Sequence, residues 1–512
     1  MCHHSIFGGI VRISTFAAAA VSAFICHGAQ AAGTLRFGLE FDPDVMDPAR
    51  NGSYTDRVVF TTMCDQLLDV DAKLDFVPML ATAWVWSDDR LALTLTLRDG
   101  VTFQDGTPLD ADAVRLNLER YRSAPESIRK AELKPVVGVD VIDRLTLRIR
   151  LSQPYAPLLS LLANRPGTPL SPKVIGKPVE EIVAGPTCAG PFRFTSRVAQ
   201  DRITLDRYPG YWNNANIHFD RVVFNTLVDP TVRLVNLQSG QIDIANRLAA
   251  TDAAAVQADS KLRLVSSPSL GFQLLSFNVG NTAAADTLLG RDPRVRAAFE
   301  KSIDREALNQ VVFEGRFVPS NQTEAPGSRY WNPAYPVPKR DVAGARALLK
   351  AAGVDRVAFT LLVGNDAVNG QIAQVMQSMA AEAGFDIKIE QRESAAMVAG
   401  TRVGAYQAAM VIWSGRPDPD GNATIWASCA GFVNWGKYCN PRLDALFAQG
   451  AALTDPAARV PLYRQAVDIM QEDRSHMVLY HFTWLWGMSA KVSGFVAMPD
   501  GLMRPQGVRF TQ

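Results

Sequence analysis

"VAFTLLVGNDAVNGQIAQVMQSMAAEAGFDIKIE", residues 357–390, decides the fold. It opens on a short apolar run, VAFTLLVG (357–364), passes through IAQVMQSMAAEAG (372–384), which reads as a helix, and closes on FDIKIE (385–390), a second extended run. Strand, helix and strand in immediate succession form a β-α-β unit. Such a unit lays two strands parallel and covers them with the crossover helix. The second half of the chain is therefore α/β.

Working outward, the same half carries further helix signals. Asp341 can cap a helix with Ala345, Leu348 and Leu349 inward and Gly353 at its end. Asp292-Pro293 opens another, with Val295, Ala298, Phe299 and Ser302 on one side. Residues 316–340, rich in Pro, Gly, Asn and Tyr, read as a long surface connection. The first half is richer in strands. LRFGLE (35–40), LALTLTL (91–97), VIDRLTLRIRL (141–151), RITLDRY (202–208) and RVVFNTL (221–227) are extended runs, and Leu91, Leu93, Leu95 and Leu97 share one face. Asp99-Gly100 and Asp105-Gly106 are turn pairs around a short strand VTF, and Asp110 can cap a helix with Val114, Asn117, Leu118 and Tyr121 in a stripe. A helix near 231–239 ends at Gly240, and IDIA (242–245) follows as a strand. A strand-rich half and an α/β half make two lobes from one chain, and the cleft between lobes is a favoured place for a ligand.

With 512 residues the chain can form about three domains. Its 47% hydrophobic and 20% charged residues suit a soluble globular protein, and a net charge of +1 offers no electrostatic pull on nucleic acid. The start differs from the rest. Arg12 precedes the apolar run ISTFAAAAVSAFIC, and Ala29-Gln30-Ala31 fits a small-x-small cleavage site that leaves Ala32 first in the mature chain. The run is too short for the roughly 20 residues that span a bilayer, so residues 1–31 read as a signal peptide and the mature protein as exported to the periplasm. Four cysteines remain after removal of the leader: Cys64, Cys188, Cys429 and Cys439. Three pairings are possible. Closeness in sequence pairs Cys429 with Cys439, which leaves Cys64 for Cys188. No two of them show the CxxC spacing of a zinc site.

The residues give little support to an enzyme. Only His218, His476 and His481 survive removal of the leader, and the last two stand five apart, which is not the spacing of a helical metal pair. No nucleophile elbow, phosphate loop, HExxH or dinucleotide fingerprint occurs, and nothing asks for a metal or a cofactor. Asp418 and Asp420 form a conceivable carboxylate pair, but two residues apart on a Pro-rich loop they serve as turn formers. A secreted hydrolase whose active site is assembled from distant residues is the alternative of a different class.

One set of phrases, in order along nearly the whole mature chain, resembles a known family. PMLATAWVWSDDRLALTLTLRDGVTFQDGTPLDADAVRLNLERY (78–121) is similar to the signature of the peptide/nickel-type solute-binding proteins, family 5, which serve ABC importers. VMDP (45–48), CAGPFRF (188–194), RYPGYWN (207–213), LQSGQIDIA (237–245), FNVGN (277–281), DPRVRAAFEKSIDREAL (292–308), WSGRPDPDGN (413–422) and NPRLDALFAQG (440–450) continue the resemblance. It implies a bilobed periplasmic-binding-protein fold, type II and cluster C-like, with an extra subdomain in the N-terminal lobe. Lobe I would comprise 32–75, 188–280 and 485–512, the inserted subdomain 76–187 and lobe II 281–484, with crossings near Asn278–Asn281 and Trp484–Gly487. It also implies a monomer that captures a peptide or peptide-like solute and presents it to the transmembrane subunits of a permease. Nickel complexes, opines and oligosaccharides are alternatives within the family.

The resemblance points to candidate ligand contacts. The segment from Trp413 through Ser414, Gly415 and Arg416 to Asp418 would face the cleft, with Trp413 either an apolar wall or a packed core residue. In dipeptide-binding members an Asp shortly after this Trp holds the ligand's α-amino group; Arg416 stands in that place here. A guanidinium repels an ammonium and binds a carboxylate bidentately, so Arg416 either anchors an anionic part of the ligand or pairs locally with Asp418 or Asp420. Tyr54, Phe41 and Asp42 are candidates from lobe I. The bridge Cys429–Cys439 would stiffen the wall beside the pocket.

Overall fold

The computed structural model describes residues 33–511, so the expected leader and its cleavage site lie outside the described residues. The β-α-β unit forms as read. Val357–Gly364 and Phe385–Arg392 run parallel, in register from Val357 opposite Phe385 to Gly364 opposite Arg392. The covering helix is Ala367–Ala381, which buries Ile372, Ala373, Met376 and Ala380. It starts a turn earlier than read, because Asp366 is its N-cap, accepting from the backbone N–H of Asn369 at 2.9 Å. Asp110, Asp292 and Asp341 cap their helices in the same way.

One large sheet runs through the protein in the order Phe385–Arg392, Val357–Gly364, Ala408–Trp413, Leu262–Phe277, His476–Ser489, Ile244–Ala245, Thr34–Leu39, Arg221–Thr226, Arg202–Arg207, Phe192–Val198. Its two halves share the long antiparallel pair Leu262–Phe277 and His476–Ser489. The ladder of that pair breaks between Pro268 and Phe272. Pro268 has no N–H to give, and a Cβ at Gly271 would sit 2.2 Å from the Phe482 ring and 2.4 Å from the Trp413 carbonyl oxygen. We propose that the chain passes between lobes at this break, earlier than Asn278–Asn281. Asn278 lies fully buried beyond it, donating its side-chain amide to the carbonyls of Asn281, Gly404 and Tyr406.

A separate four-stranded sheet, Ala81–Trp86, Ala92–Leu97, Thr146–Leu151 and Val136–Asp143, packs against the helix Ala111–Ser123. Leu93, Leu95, Leu97, Leu147, Ile149, Val114, Leu118 and Tyr121 form its core, while Leu91 lies outside the strand and is exposed. We propose that this unit is the core of the inserted subdomain expected over residues 76–187. Beyond it the Tyr155-Ala156 turn reaches the other lobe, where the Ala156 N–H donates to the Ala451 carbonyl at 2.7 Å.

Residues 316–340 are the expected surface connection only in part. Val318–Pro319 joins the sheet beside His481 and Tyr480, and Ser320 to Glu324 are buried. Gln322 is satisfied internally: its amide donates to the carbonyls of Asn332 and Tyr335 and accepts from the Asn332 N–H.

Candidate functional site

The strand Ala408–Trp413 ends at the register break and delivers the segment 413–422 to the space between the lobes. Gly415 turns the chain with φ +76°, and a Cβ there would lie 2.4 Å from the Leu270 backbone. Asn422 holds Arg416 in place, accepting from its N–H at 2.8 Å and donating to its carbonyl at 2.9 Å. The Trp413 indole N–H donates to the Gly421 carbonyl, and its ring meets Trp426 edge-on at 5.9 Å. Trp413 is half-buried, packed on Trp426, and topped by the Arg416 guanidinium 4.6 Å from its ring centroid.

Asp418 is spent elsewhere. Both its oxygens face Arg459, at 2.5 and 2.8 Å, and it caps the N–H of Asp420. The pair is buried, and Arg459 also donates to the Gly450 carbonyl and to the Tyr463 hydroxyl. This corrects two expectations: Asp418 has no oxygen free for a ligand, and Arg416 is not its partner. Nor does Arg416 pair with Asp420; its guanidinium donates to the Gly415 carbonyl at 2.7 Å and the Ser414 hydroxyl at 3.3 Å.

Facing this segment are two arginines that the sequence did not mark. Arg57 stands on the helix Tyr54–Met63, whose start is fixed by the capping box of Ser53 and Asp56. Arg165 opens the short turn Arg165–Gly167 of the inserted unit, held by Asn51 and by the Ser53 carbonyl. Both are 5% exposed. They line, with Asn51, Gln66, Asn164 and Arg504, a narrow pocket with room for about one water molecule, partly open to solvent. Arg57 crosses to the other lobe, its Nη1 3.5 Å from the Ser414 hydroxyl.

The charge balance here is unusual. Arg120, Arg129, Arg305, Arg459 and Arg504 each face a carboxylate. Arg233 and Arg296 lack one but are each held by three backbone carbonyls. Among the described residues Arg57, Arg165 and Arg416 make no ion pair, and the Arg57 Nε is buried without a partner. Burial, then the neighbouring guanidinia of Arg129 and Arg57, push Arg165 down to about 9. Burial, then Arg57 and Arg165, lower Arg416 well below the usual arginine range. Burial likewise lowers Arg57, against the opposing pull of Asp500.

The other sequence candidates fall in different places. Tyr54 opens the helix that bears Arg57; it stacks on Trp484 at 4.7 Å and donates to the Gly501 carbonyl at 2.6 Å. Asp42 accepts from Arg197 and the Gln200 N–H, and Phe41 is 53% exposed; no contact links either to the arginine group. We propose that Asp42 serves the fold rather than a ligand. Both disulfides are closed. Cys429–Cys439 ties the wall beside Trp426, and Cys64–Cys188 ties the end of the helix bearing Arg57. His481 is buried and His476 half-buried; desolvation pushes them down to about 4 and about 3, His481 Nε2 lies 3.1 Å from the Gln322 carbonyl, and no group of metal-binding side chains occurs among the described residues.

This architecture has close counterparts. A Helicobacter pylori periplasmic binding protein, DppA, in complex with the peptide STSA superposes with a TM-score of 0.85 at 23% identity, over 94% of this chain and 99% of that one. The binding protein AgaA from A. tumefaciens R10, in complex with agropinic acid, does so with a TM-score of 0.82 at 24% identity, over 94% and 99%. In sequence, the glutathione-binding protein GsiB of Salmonella paratyphi A is 28% identical over 474 residues, 89% of this chain and 90% of the relative; that of Escherichia coli O157:H7 is 27% identical over the same shares. Residues 75–434 match the description "Bacterial extracellular solute-binding proteins, family 5 Middle", and the chain belongs to that family.

Proposed function

We propose that this protein is the periplasmic receptor of an ABC importer for a peptide-like solute rich in carboxylates, of the glutathione kind, and that it binds this solute without converting it. The observation that carries the reading is the group Arg57, Arg165 and Arg416. Three guanidinia converge from both sides of the cleft with no carboxylate of the protein in ion-pair contact, while Asp500, Asp56 and Glu132 pull on them only from a distance. A buried charge left unpaired is costly, and a ligand carboxylate supplies both the missing charge and bidentate hydrogen bonds. GsiB is named for glutathione, a solute with two carboxylates and one amine, and it matches this chain almost end to end. Arg416, in place of an amine-binding Asp, supports the same reading. No helix among the described residues is long and apolar enough to cross a membrane, and we infer that the leader directs a monomer to the periplasm.

The test is titration calorimetry on the exported protein with glutathione and with dialanine, followed by mass spectrometry of the recovered ligand. Glutathione is expected to bind at micromolar concentration or tighter, at least tenfold better than dialanine, and to be recovered intact. A charge-assisted hydrogen bond is worth about 1.5–3 kcal/mol, so Arg416→Ala should weaken glutathione at least tenfold. Converted ligand would indicate a hydrolase; preference for dialanine would reject the anionic class.

A further inference from the structure

We propose that an anionic group of the ligand is the counterion that permits the lobes to close, so that the arginines act as an electrostatic gate as well as a binding site. This rests on the receptor reading above and goes beyond it in one respect: the empty protein is held open by its own charges. Arg57 and Arg165 lie on the side of the first lobe and its insertion, Arg416 on the segment contributed by the other lobe. The two sides meet where Arg57 Nη1 approaches Ser414, whose hydroxyl also faces the Arg416 guanidinium at 3.3 Å. Closure therefore brings like charges together while it strips them of water, and both effects oppose it.

The surrounding acids relieve the conflict only in part: Asp500, Asp56 and Glu132 pull from a distance, burial outweighs them, and each is engaged elsewhere. Glu132 faces Arg129, Asp500 and Asp69 face Arg504, and Asp418 faces Arg459. Asp56 is the N3 member of its capping box and sits against Asp44. What remains is a site that closes when a carboxylate enters it. A neutral peptide of the same length would meet the same walls but leave the repulsion in place. Selectivity for anionic solutes would then arise from the closing step rather than from contact alone.

The experiment follows closure with a donor–acceptor dye pair placed on the two lobes, one partner on the insertion and one on the helix Pro456–Asp473. The probes are glutathione and its diethyl ester, in which both carboxylates are masked. Wild type is expected to be open when empty, to close with glutathione and to stay open with the ester. Arg416→Gln, empty, should shift toward the closed state, whereas Arg416→Lys, which keeps the charge, should stay open. The preference for glutathione over the ester should fall at least tenfold in Arg416→Gln. Closure of wild type around the ester as readily as around glutathione would overturn the gate while leaving the receptor intact. Should neither probe bind, the functional reading fails, and the empty-state comparison still decides the gate: Arg416→Gln as open as wild type refutes it. Thermal melts confirm that both variants fold, and Arg57→Gln tests the opposite lobe with the same readout.

Discussion

Asp418 distinguishes a scaffold role from a ligand role, and Asp418→Asn separates the two. Asn keeps the side-chain oxygen that caps the Asp420 N–H and nearly the same volume, so the substitution removes little besides the negative charge. What it strands is Arg459, 4% exposed and paired to Asp418 at 2.5 and 2.8 Å. Breaking one side of a buried ion pair costs about 3–5 kcal/mol, because the surviving charge stays out of water. The bonds from Arg459 to Gly450 and Tyr463 hold it inside and keep it from swinging out to solvent. Urea unfolding should therefore show a loss of about 3 kcal/mol or more. Removing the charge on both sides, Asp418→Asn with Arg459→Met, should restore most of it. Glutathione affinity, measured on folded protein, should change less than about tenfold, since neither Asp418 oxygen faces the cleft (1.4 kcal/mol per decade). The opposite pattern, stability held within about 0.5 kcal/mol and binding abolished, would refute the scaffold role. It would return Asp418 to the ligand.

Three further outcomes are expected. Burial pushes His481 down to about 4, below its usual 6.5, so the folded protein refuses a proton that the unfolded chain accepts, and stability from this group is lost as pH falls through 6.5. The stability difference between wild type and His481→Asn should thus shift by about 2 kcal/mol against wild type from pH 7 to pH 5; the carboxyls raised by burial, Asp65 to about 7 and Glu324 to about 8, titrate in both proteins and cancel in that difference. Gly415→Ala places a Cβ against Leu270 at a φ of +76°, and both the thermal midpoint and glutathione affinity should fall, the latter because Arg416 moves with the turn. Replacing Cys64 and Cys188 by Ser, with a separation of 124 residues, should cost more than replacing Cys429 and Cys439, with a separation of 10; loop entropy gives about 5 against about 3 kcal/mol in chemical denaturation. The reverse order would show that strain or residual structure outweighs loop length.

The frame was legible because it is written locally. Asp110, Asp292 and Asp341 announce helices that exist, and the apolar runs at 357–364 and 385–390 announce parallel strands. Asp366 escaped because Asn365-Asp366 also reads as a turn, and a cap and a turn use the same side-chain chemistry. Residues 316–340 misled because polar residues normally mark the surface; here Asn332 and Gln322 satisfy one another in the interior. The site is a different kind of object. Arg57, Arg165 and Arg416 are separated by 108 and 251 positions, no motif joins them, and a net charge of +1 conceals a local surplus. What makes them significant is a relation among the acids: Glu132, Asp418, Asp69 and Asp500 pair with other arginines, Asp56 serves its capping box, and these three have no ion-pair partner. The segment 413–422 shows the same point at short range. Arg416 and Asp418 stand two apart and look like partners. The left-handed turn at Gly415 and the clamp of Asn422 hold the guanidinium over Trp413, while Asp418 is drawn into the body of the lobe by Arg459. Composition supplied the charges, and the backbone decided which of them would be left without an ion-pair partner.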